Sequence, residues 1–294
     1  MPKQRLDVLL VERNLCETRQ QAQRVIRAGE VKVNQQVVDK PGTEVDLSAL
    51  VEVRQKPPYV SRGGEKLAKA IAYFQLSIRD RICLDGGIST GGFTDCLLQA
   101  GAAHVYGVDV GYGQVAWTLR QDPRVTLLER TNLRHLKPED LYIRDRPVAS
   151  LGVLDVSFIS ITKVLSALYF LLQPPREVVL LVKPQFEVGR DRIGKNGVVR
   201  DPTDQANAIL QVLQAAEALE WAYCGLTWSP LVGPAGNIEY LLWLKGKDGD
   251  LKNEGEPENA TQPNASPDFQ TLKQVTLQAQ QALTKRALPK ADPT

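Results

Sequence analysis

Across residues 60–246, short apolar runs alternate with amphipathic segments. The runs are RICLDGG, HVYGVDV, VTLLER, VASLGVLDVS, EVVLLVKP and EYLLWLKG; between them lie DCLLQAGA, GQVAWTLRQDP, ITKVLSALYFLLQ and DQANAILQVLQAAEALEW. Apolar runs bounded by turn residues are strands buried on both faces. Their alternation with helical segments calls for a doubly wound, mainly parallel α/β sheet. Ligands of such sheets sit outside the carboxyl ends of the strands. The residues that follow each run are therefore where chemistry is to be sought.

The region before this sheet has a different pattern. In RLDVLLVERNLCETRQQAQRVIRAGEVKVNQQVVDKPGTEVD, Leu6, Leu9 and Leu10 mark one helical face, and Ala22, Val25 and Ile26 mark a second, capped by Thr18 and stopped by Gly29. VKVN and a return through VVDK and EVDL then suggest short paired strands with a turn at Asn34–Gln36. Residues 1–56 are thus expected to be a small α+β module, 57–62 a linker and 63–246 the α/β domain. Residues 247–294, which begin GKDGDLKNEGEPENATQPNASPDFQ, are expected to be a low-complexity, disordered and removable tail, in which 269–288 could form only a loose helix with a thin apolar face. The whole chain carries 36 Lys and Arg against 34 Asp and Glu, which excludes a strongly basic binder but not a basic face. Residues 1–66 hold 12 basic against 9 acidic residues; Arg5, Arg19, Arg24, Arg27 and Lys32 form the candidate RNA-binding patch, with a solvated helix face as the plainer alternative. Four scattered Cys and two His give neither a disulfide scaffold nor zinc spacing, so no metal is expected. No apolar run approaches the roughly 18 residues of a membrane span, and no apolar stretch follows the N-terminal basic residues; the expectation is a cytoplasmic protein without a membrane partner.

The first strand of the α/β domain runs into Asp85-Gly86-Gly87-Ile88-Ser89-Thr90-Gly91-Gly92-Phe93-Thr94. This loop lacks the GK[ST] ending of a phosphate-binding P-loop and the G-x-G-x-x-G of a dinucleotide loop. An acid beside it suits a ligand with an ammonium or sulfonium group, and Asp109 at the end of the next strand suits a ribose diol. S-adenosylmethionine has all three. The expected cofactor residues are Asp85, Gly87, Ser89, Thr90, Gly91, Gly92, Phe93 and Asp109.

Further charged residues punctuate the other strands: Asp155 after GVL, Lys183 after EVVLLV, Glu239 in GNIEY, and Lys66 in SRGGEKL. A charge directly after an apolar run is costly unless it is paired or useful. Each still has an ordinary reading: a surface lysine for Lys66, a loop cap for Asp155, a strand terminus for Lys183, an edge pair for Glu239. Residues 183–200 hold five basic residues against two acidic ones, and Arg190, Arg192 and Lys195 are candidates for RNA backbone contact. Phe158 and Phe186 are either base-stacking or core residues.

Two stretches carry a resemblance. RLDVLLVERNLCETRQQAQRVIRAGEVKVNQQVV resembles an S4 RNA-binding domain. LDGGISTGGFTDCLLQAGA followed by VYGVDVGYGQ resembles the TlyA-type rRNA methyltransferases, relatives of the FtsJ-like 2′-O-methyltransferases. The resemblance implies a Rossmann-like S-adenosylmethionine-dependent domain behind an S4-like one. It implies a Lys-Asp-Lys-Glu tetrad at Lys66, Asp155, Lys183 and Glu239, with Lys183 activating the hydroxyl, and Asn132, in ERTNLRHL, near the adenine. Ile88 stands where the family commonly has Ala. The implied substrate is the 2′-hydroxyl of cytidine in ribosomal RNA, within ribosomal subunits or their precursors. Some such proteins are labelled haemolysins; no membrane span, secretion signal or amphipathic β pattern here supports a pore. A non-catalytic RNA-binding factor is the main rival. A pseudouridine synthase would need another domain, and a base methyltransferase would need Asp/Asn-Pro-Pro-aromatic or a placed Cys.

Overall fold

The structure is a computed structural model that describes residues 2–54, 57–143, 146–247 and 264–287. The chain divides into two compact units, Met1–Pro57 and Pro58–Thr294.

The first unit comprises β1 (Lys3–Arg5), α1 (Leu6–Glu12), α2 (Arg19–Arg27), β2 (Val31–Val33), β3 (Gln36–Val37), β4 (Glu44–Asp46) and β5 (Val51–Val53). Thr18 Oγ1 accepts from Gln21 N at 3.2 Å and starts α2. Gly29, at φ +68°, ends it. Asn34 and Gln35 both have positive φ, which turns β2 tightly into β3. The EVD segment does not join this hairpin; it pairs with β1 in a separate ribbon. Leu6, Leu9, Leu10, Ala22, Ile26, Val31 and Val45 make the core.

The second unit continues with α3 (Gly63–Phe74), β6 (Ile82–Gly86), α4 (Gly92–Gln99), β7 (His104–Val108), α5 (Trp117–Arg120), β8 (Val125–Leu128), α6 (Pro138–Leu141), β9 (Leu151–Leu154), α7 (Leu165–Leu171), β10 (Glu177–Val182), α8 (Pro184–Glu187), α9 (Pro202–Glu217), β11 (Trp221–Trp228), β12 (Tyr240–Gly246) and α10 (Phe269–Ala287). The seven-stranded sheet has the order β11-β12-β10-β9-β6-β7-β8. Strands β8, β7, β6, β9 and β10 are parallel, while β12 runs antiparallel to both β10 and β11. Alternate residues serve opposite faces: Leu84, Leu154 and Leu180 pack with α7 and α9, and Cys83, Val153 and Val179 pack with Leu67 and Ala70 of α3 and Leu97 of α4. After β8 the chain returns across the sheet to place β9 on the other side of β6. The strand order reverses there, so a crevice opens at the carboxyl ends of β6 and β9.

Three features depart from the sequence pattern. The WAYCGLTW segment, which the apolar runs did not include, is the edge strand β11; its register slips between Tyr223 and Gly225, which breaks the alternation. Gly225 is required because the Phe74 ring lies 2.7 Å from where a Cβ would stand. Of GQVAWTLRQDP only Trp117–Arg120 is helical. The third concerns the expected tail. Residues 248–263 and 288–294 lie outside the described residues, but Phe269–Ala287 forms the helix α10, and that helix is packed rather than loose. Leu272, Thr276 and Ala279 of α10 are fully buried against the α/β core. Phe269 and Val275 pack beside them half-buried, and the small side chains of the stripe let the helix approach its neighbour closely. Leu272→Ala should therefore lower unfolding stability by about 2–5 kcal/mol, as for a buried leucine, in urea titrations of the full chain.

Candidate active site

The loop after β6 is built on close approach. Gly87 has φ +85°, and a Cβ there would stand 2.6 Å from the Asp155 carbonyl oxygen, so the ends of β6 and β9 touch backbone to backbone. Gly92 opens α4 where a Cβ would meet Ser61 Oγ at 2.3 Å and Gly64 N at 2.8 Å; α3 therefore docks its first turn directly on that of α4. Ile88 turns its Cδ1 onto Gly107, which has no Cβ to oppose it.

Asp85 is completely buried beneath this loop. Thr94 Oγ1 donates to its Oδ2 at 2.7 Å, and its Oδ1 has no hydrogen-bond partner. Burial first, and then the neighbouring Asp155 and Asp109 charges, push its carboxyl up to about 7 against the opposing Thr94 hydrogen bonds. Asp109 accepts from Ser89 N at 2.8 Å and from Gly111 N at 2.7 Å, tying the loops after β6 and β7 together.

Two lysine–carboxylate pairs flank the crevice. Lys66 Nζ donates to Glu239 Oε2 at 2.6 Å, a pair almost closed to solvent. Lys183 Nζ lies 2.6 Å from Asp155 Oδ1 and donates to Ser157 Oγ at 2.8 Å. A cavity of about 200 Å³ lies between the loop and these pairs. It brings together Lys66, Gly87, Ser89, Thr90, Gly92, Phe93 and Asp155 of the expected residues, and adds Ser61, Arg62, Gly63, Ile88 and Pro234. The SRGG and GPAG stretches around Lys66 and before Glu239 were the available signal for the additions. Asp85, Gly91, Asp109, Asn132, Lys183 and Glu239 are not in its lining; Asn132 is exposed and its Oδ1 accepts from Arg134 N, capping a short turn.

The loop beyond Lys183 is more basic than its composition suggests. Glu187 is buried, its carboxylate accepting from Ser160 Oγ at 2.6 Å and Ile161 N at 2.9 Å, and burial raises its pKa. Arg190 and Lys195 are exposed and make no ion pair among the described residues, whereas Arg192 pairs with Asp204 at 2.7 Å. Phe158 is 91% exposed with φ +65°, so it is not a core residue; its ring centroid is 5.4 Å from that of half-buried Phe186. In the first unit, Arg5, Arg19, Arg24, Arg27 and Lys32 are all exposed. Arg5 and Arg19 both hold the buried Asp7, which also accepts from Gln23; the Arg5 guanidinium leads in holding Asp7 well below the usual carboxylate range.

Residues 59–246 match the FtsJ-like methyltransferase family and residues 4–51 the S4 domain. The chain is 49% identical over 243 residues to the 16S/23S rRNA (cytidine-2′-O)-methyltransferase TlyA of Mycobacterium tuberculosis, covering 82% of this chain and 89% of that one. The chain belongs to the TlyA-type branch of the FtsJ-like methyltransferases. Within this family it is also 40% identical over 237 residues to Hemolysin A of Brachyspira hyodysenteriae, covering 81% and 98% of the two chains. A solved structure from Streptococcus thermophilus is 41% identical and superposes with a TM-score of 0.69, covering 97% of this chain and 98% of that one. No helix among the described residues is long and apolar enough to cross a membrane.

The buried Asp85 gives the methyltransferase unit a pH signature. Between its ordinary 3.8 and about 7 the folded state holds a proton that the unfolded state has lost. Asp85 should therefore make unfolding stability fall as pH rises through that window and level off above it. Chemical denaturation from pH 4.5 to 8 should show this slope, and Asp85→Asn should flatten it.

Proposed function

We propose that this protein methylates the ribose 2′-hydroxyl of a cytidine in ribosomal RNA, using S-adenosylmethionine. The observation that carries the reading is the pair of lysine–carboxylate bridges converging on one cavity beside the glycine loop. The residues fit the cofactor: Asp85 Oδ1 is a buried carboxylate oxygen without a partner, and the loop has no lysine for phosphate. Asp85, Gly87, Ser89, Thr90, Gly91, Gly92, Phe93, Asp109 and Asn132 would hold it. When bound, it supplies a methyl group on an already activated sulfonium.

The chain's own task is then alignment and proton handling. Lys183 activates the 2′-hydroxyl through Nζ, and Asp155 fixes the direction of that nitrogen. Lys66, held by Glu239, borders the opposite side of the cavity. Arg5, Arg19, Arg24, Arg27 and Lys32 of the S4 unit and Arg190, Arg192 and Lys195 of the loop bind RNA phosphates. Phe158 offers an exposed face on which a base displaced from its stack can rest. The cytidine and the ribosomal partner are supported by the M. tuberculosis relative, whose name states both.

Mapping ribose methylation of ribosomal RNA in cells with and without the gene tests the reading: one or more cytidines should lose a 2′-O-methyl group. An unchanged map would leave the non-catalytic RNA-binding factor. In single-turnover assays with saturating cofactor and ribosomal subunits, Lys183→Ala should slow methyl transfer by about 10²–10⁴-fold, the worth of a positioned base. Lys183→Arg should not rescue it, because a guanidinium hardly gives up its proton.

A further inference from the structure

The basic loop after Lys183 is fixed at both ends. At its start, buried Glu187 is held by Ser160 and Ile161. Its far end has an irregular backbone, with Asn196 and Gly197 at positive φ and Val198 and Val199 buried. Buried irregular backbone needs side chains to satisfy its polar groups. Gln205 Nε2 donates to Val199 O at 2.8 Å, and Asn237 accepts from Val199 N at 2.9 Å and donates to Gly197 O at 2.8 Å.

The next turns of chain are held by α10. Gln280 Nε2 donates to Arg200 O at 2.7 Å. Thr276 Oγ1 lies 3.0 Å from Pro202 O and 2.8 Å from Lys273 O, so its single proton serves either carbonyl. Gln280 is the link whose donor is committed to one carbonyl, and it lies at the surface. Helix α10 lies beyond the residues matched to the methyltransferase family, and it places its buried stripe on α9 immediately after the loop.

We propose that α10 is a brace for the basic loop, with Gln280 as a positioning residue that sets where Arg190 and Lys195 meet the RNA backbone. The proposal rests on the RNA-binding reading of that loop. Loss of the Arg200 anchor lets the loop's far end shift, and correctly placed cations are lost from the RNA contact. Among the described residues no hydrogen bond or ion pair joins α10 to the glycine loop or to the lysine–carboxylate pairs, so cofactor binding and turnover at saturating RNA stay as they are.

The test uses the full chain, S-adenosylmethionine and ribosomal subunits lacking the modification. Gln280→Ala, and the near-isosteric Gln280→Glu that loses the donor, should raise KM for subunits by roughly three- to tenfold, the worth of one hydrogen bond. kcat and cofactor affinity by calorimetry should stay within about twofold. The slope of log affinity against log salt should become shallower by about one phosphate contact. A merely stabilising helix would shift the melting temperature and leave that slope alone. In an Arg190→Ala/Lys195→Ala background, Gln280→Ala should add nothing further.

Unchanged KM and salt slope in both Gln280 variants overturns the brace. So does a Gln280 effect of full size in the loop-variant background, since α10 would then act elsewhere. If Arg190→Ala/Lys195→Ala itself leaves subunit affinity untouched, the RNA reading of the loop fails and takes the brace with it. A chain ending at Lys247 that remains folded should reproduce the Gln280→Ala phenotype; if it does not fold, the point variants decide alone.

Discussion

A lysine that follows five buried residues on a central strand can keep its charge only if a carboxylate stands within reach on the next strand. Val178–Val182 are buried in β10, and Lys183 is the first residue beyond them. Strand β9 leaves the sheet at Leu154, which pairs with Leu180, and Asp155 follows at once to meet Lys183 Nζ. Leaving either partner alone in such a setting costs on the order of 3–5 kcal/mol. The two residues must therefore be present together, and β9 and β10 must stay in register. The Lys66–Glu239 pair imposes the same condition on α3 and β12, elements separated by most of the unit's chain.

These pairs meet only because the backbones between them come unusually close. Gly87 lets the loop after β6 lie against Asp155, and Gly92 lets α4 lie against the first turn of α3. A side chain at any of these positions would push one lysine–carboxylate pair away from the other and open the cavity. The glycines thus serve the geometry of the charged groups as much as any approach of a ligand. That both pairs border one cavity, with Asp155 still partly exposed to it, separates them from ion pairs that merely finish a strand.

The strands and the glycine loop were legible because buried parallel strands write themselves as apolar runs and turns write themselves as glycine. The four tetrad residues stood out by resemblance, and their pairing, Lys66 with Glu239 and Lys183 with Asp155, became visible only in three dimensions. Strand β11 was hidden by its bulge and its glycine, whose reason is the ring of Phe74 across the sheet. Helix α10 was legible as a helix, but its packing was hidden by a stripe of Leu272, Thr276 and Ala279, in which threonine and alanine carry no strong apolar signal. Glu187 counts as an acid of the basic loop in sequence, yet it is a buried anchor in the fold. Arg5 and Arg19 read as free cations in sequence, yet each spends part of its guanidinium on Asp7. Except for Arg5, whose partner Asp7 is two residues away, the missing information is a partner distant along the chain.

The electrostatics of the crevice favour one kind of ligand. Asp85, Asp109 and Asp155 stand at the carboxyl ends of three adjacent strands, and Glu239 joins them from β12. Lys183 and Lys66 neutralise Asp155 and Glu239, which leaves Asp109 and the strained Asp85. A polyphosphate would add its charge to theirs in a desolvated setting, where like charges repel most strongly. On the proposed reading, the cationic groups of the cofactor would instead relieve the repulsion that, after burial, holds the Asp85 carboxyl near 7. The burial that costs the folded state stability above the ordinary carboxylate range thus fits the proposed positively charged cofactor better than a nucleotide phosphate.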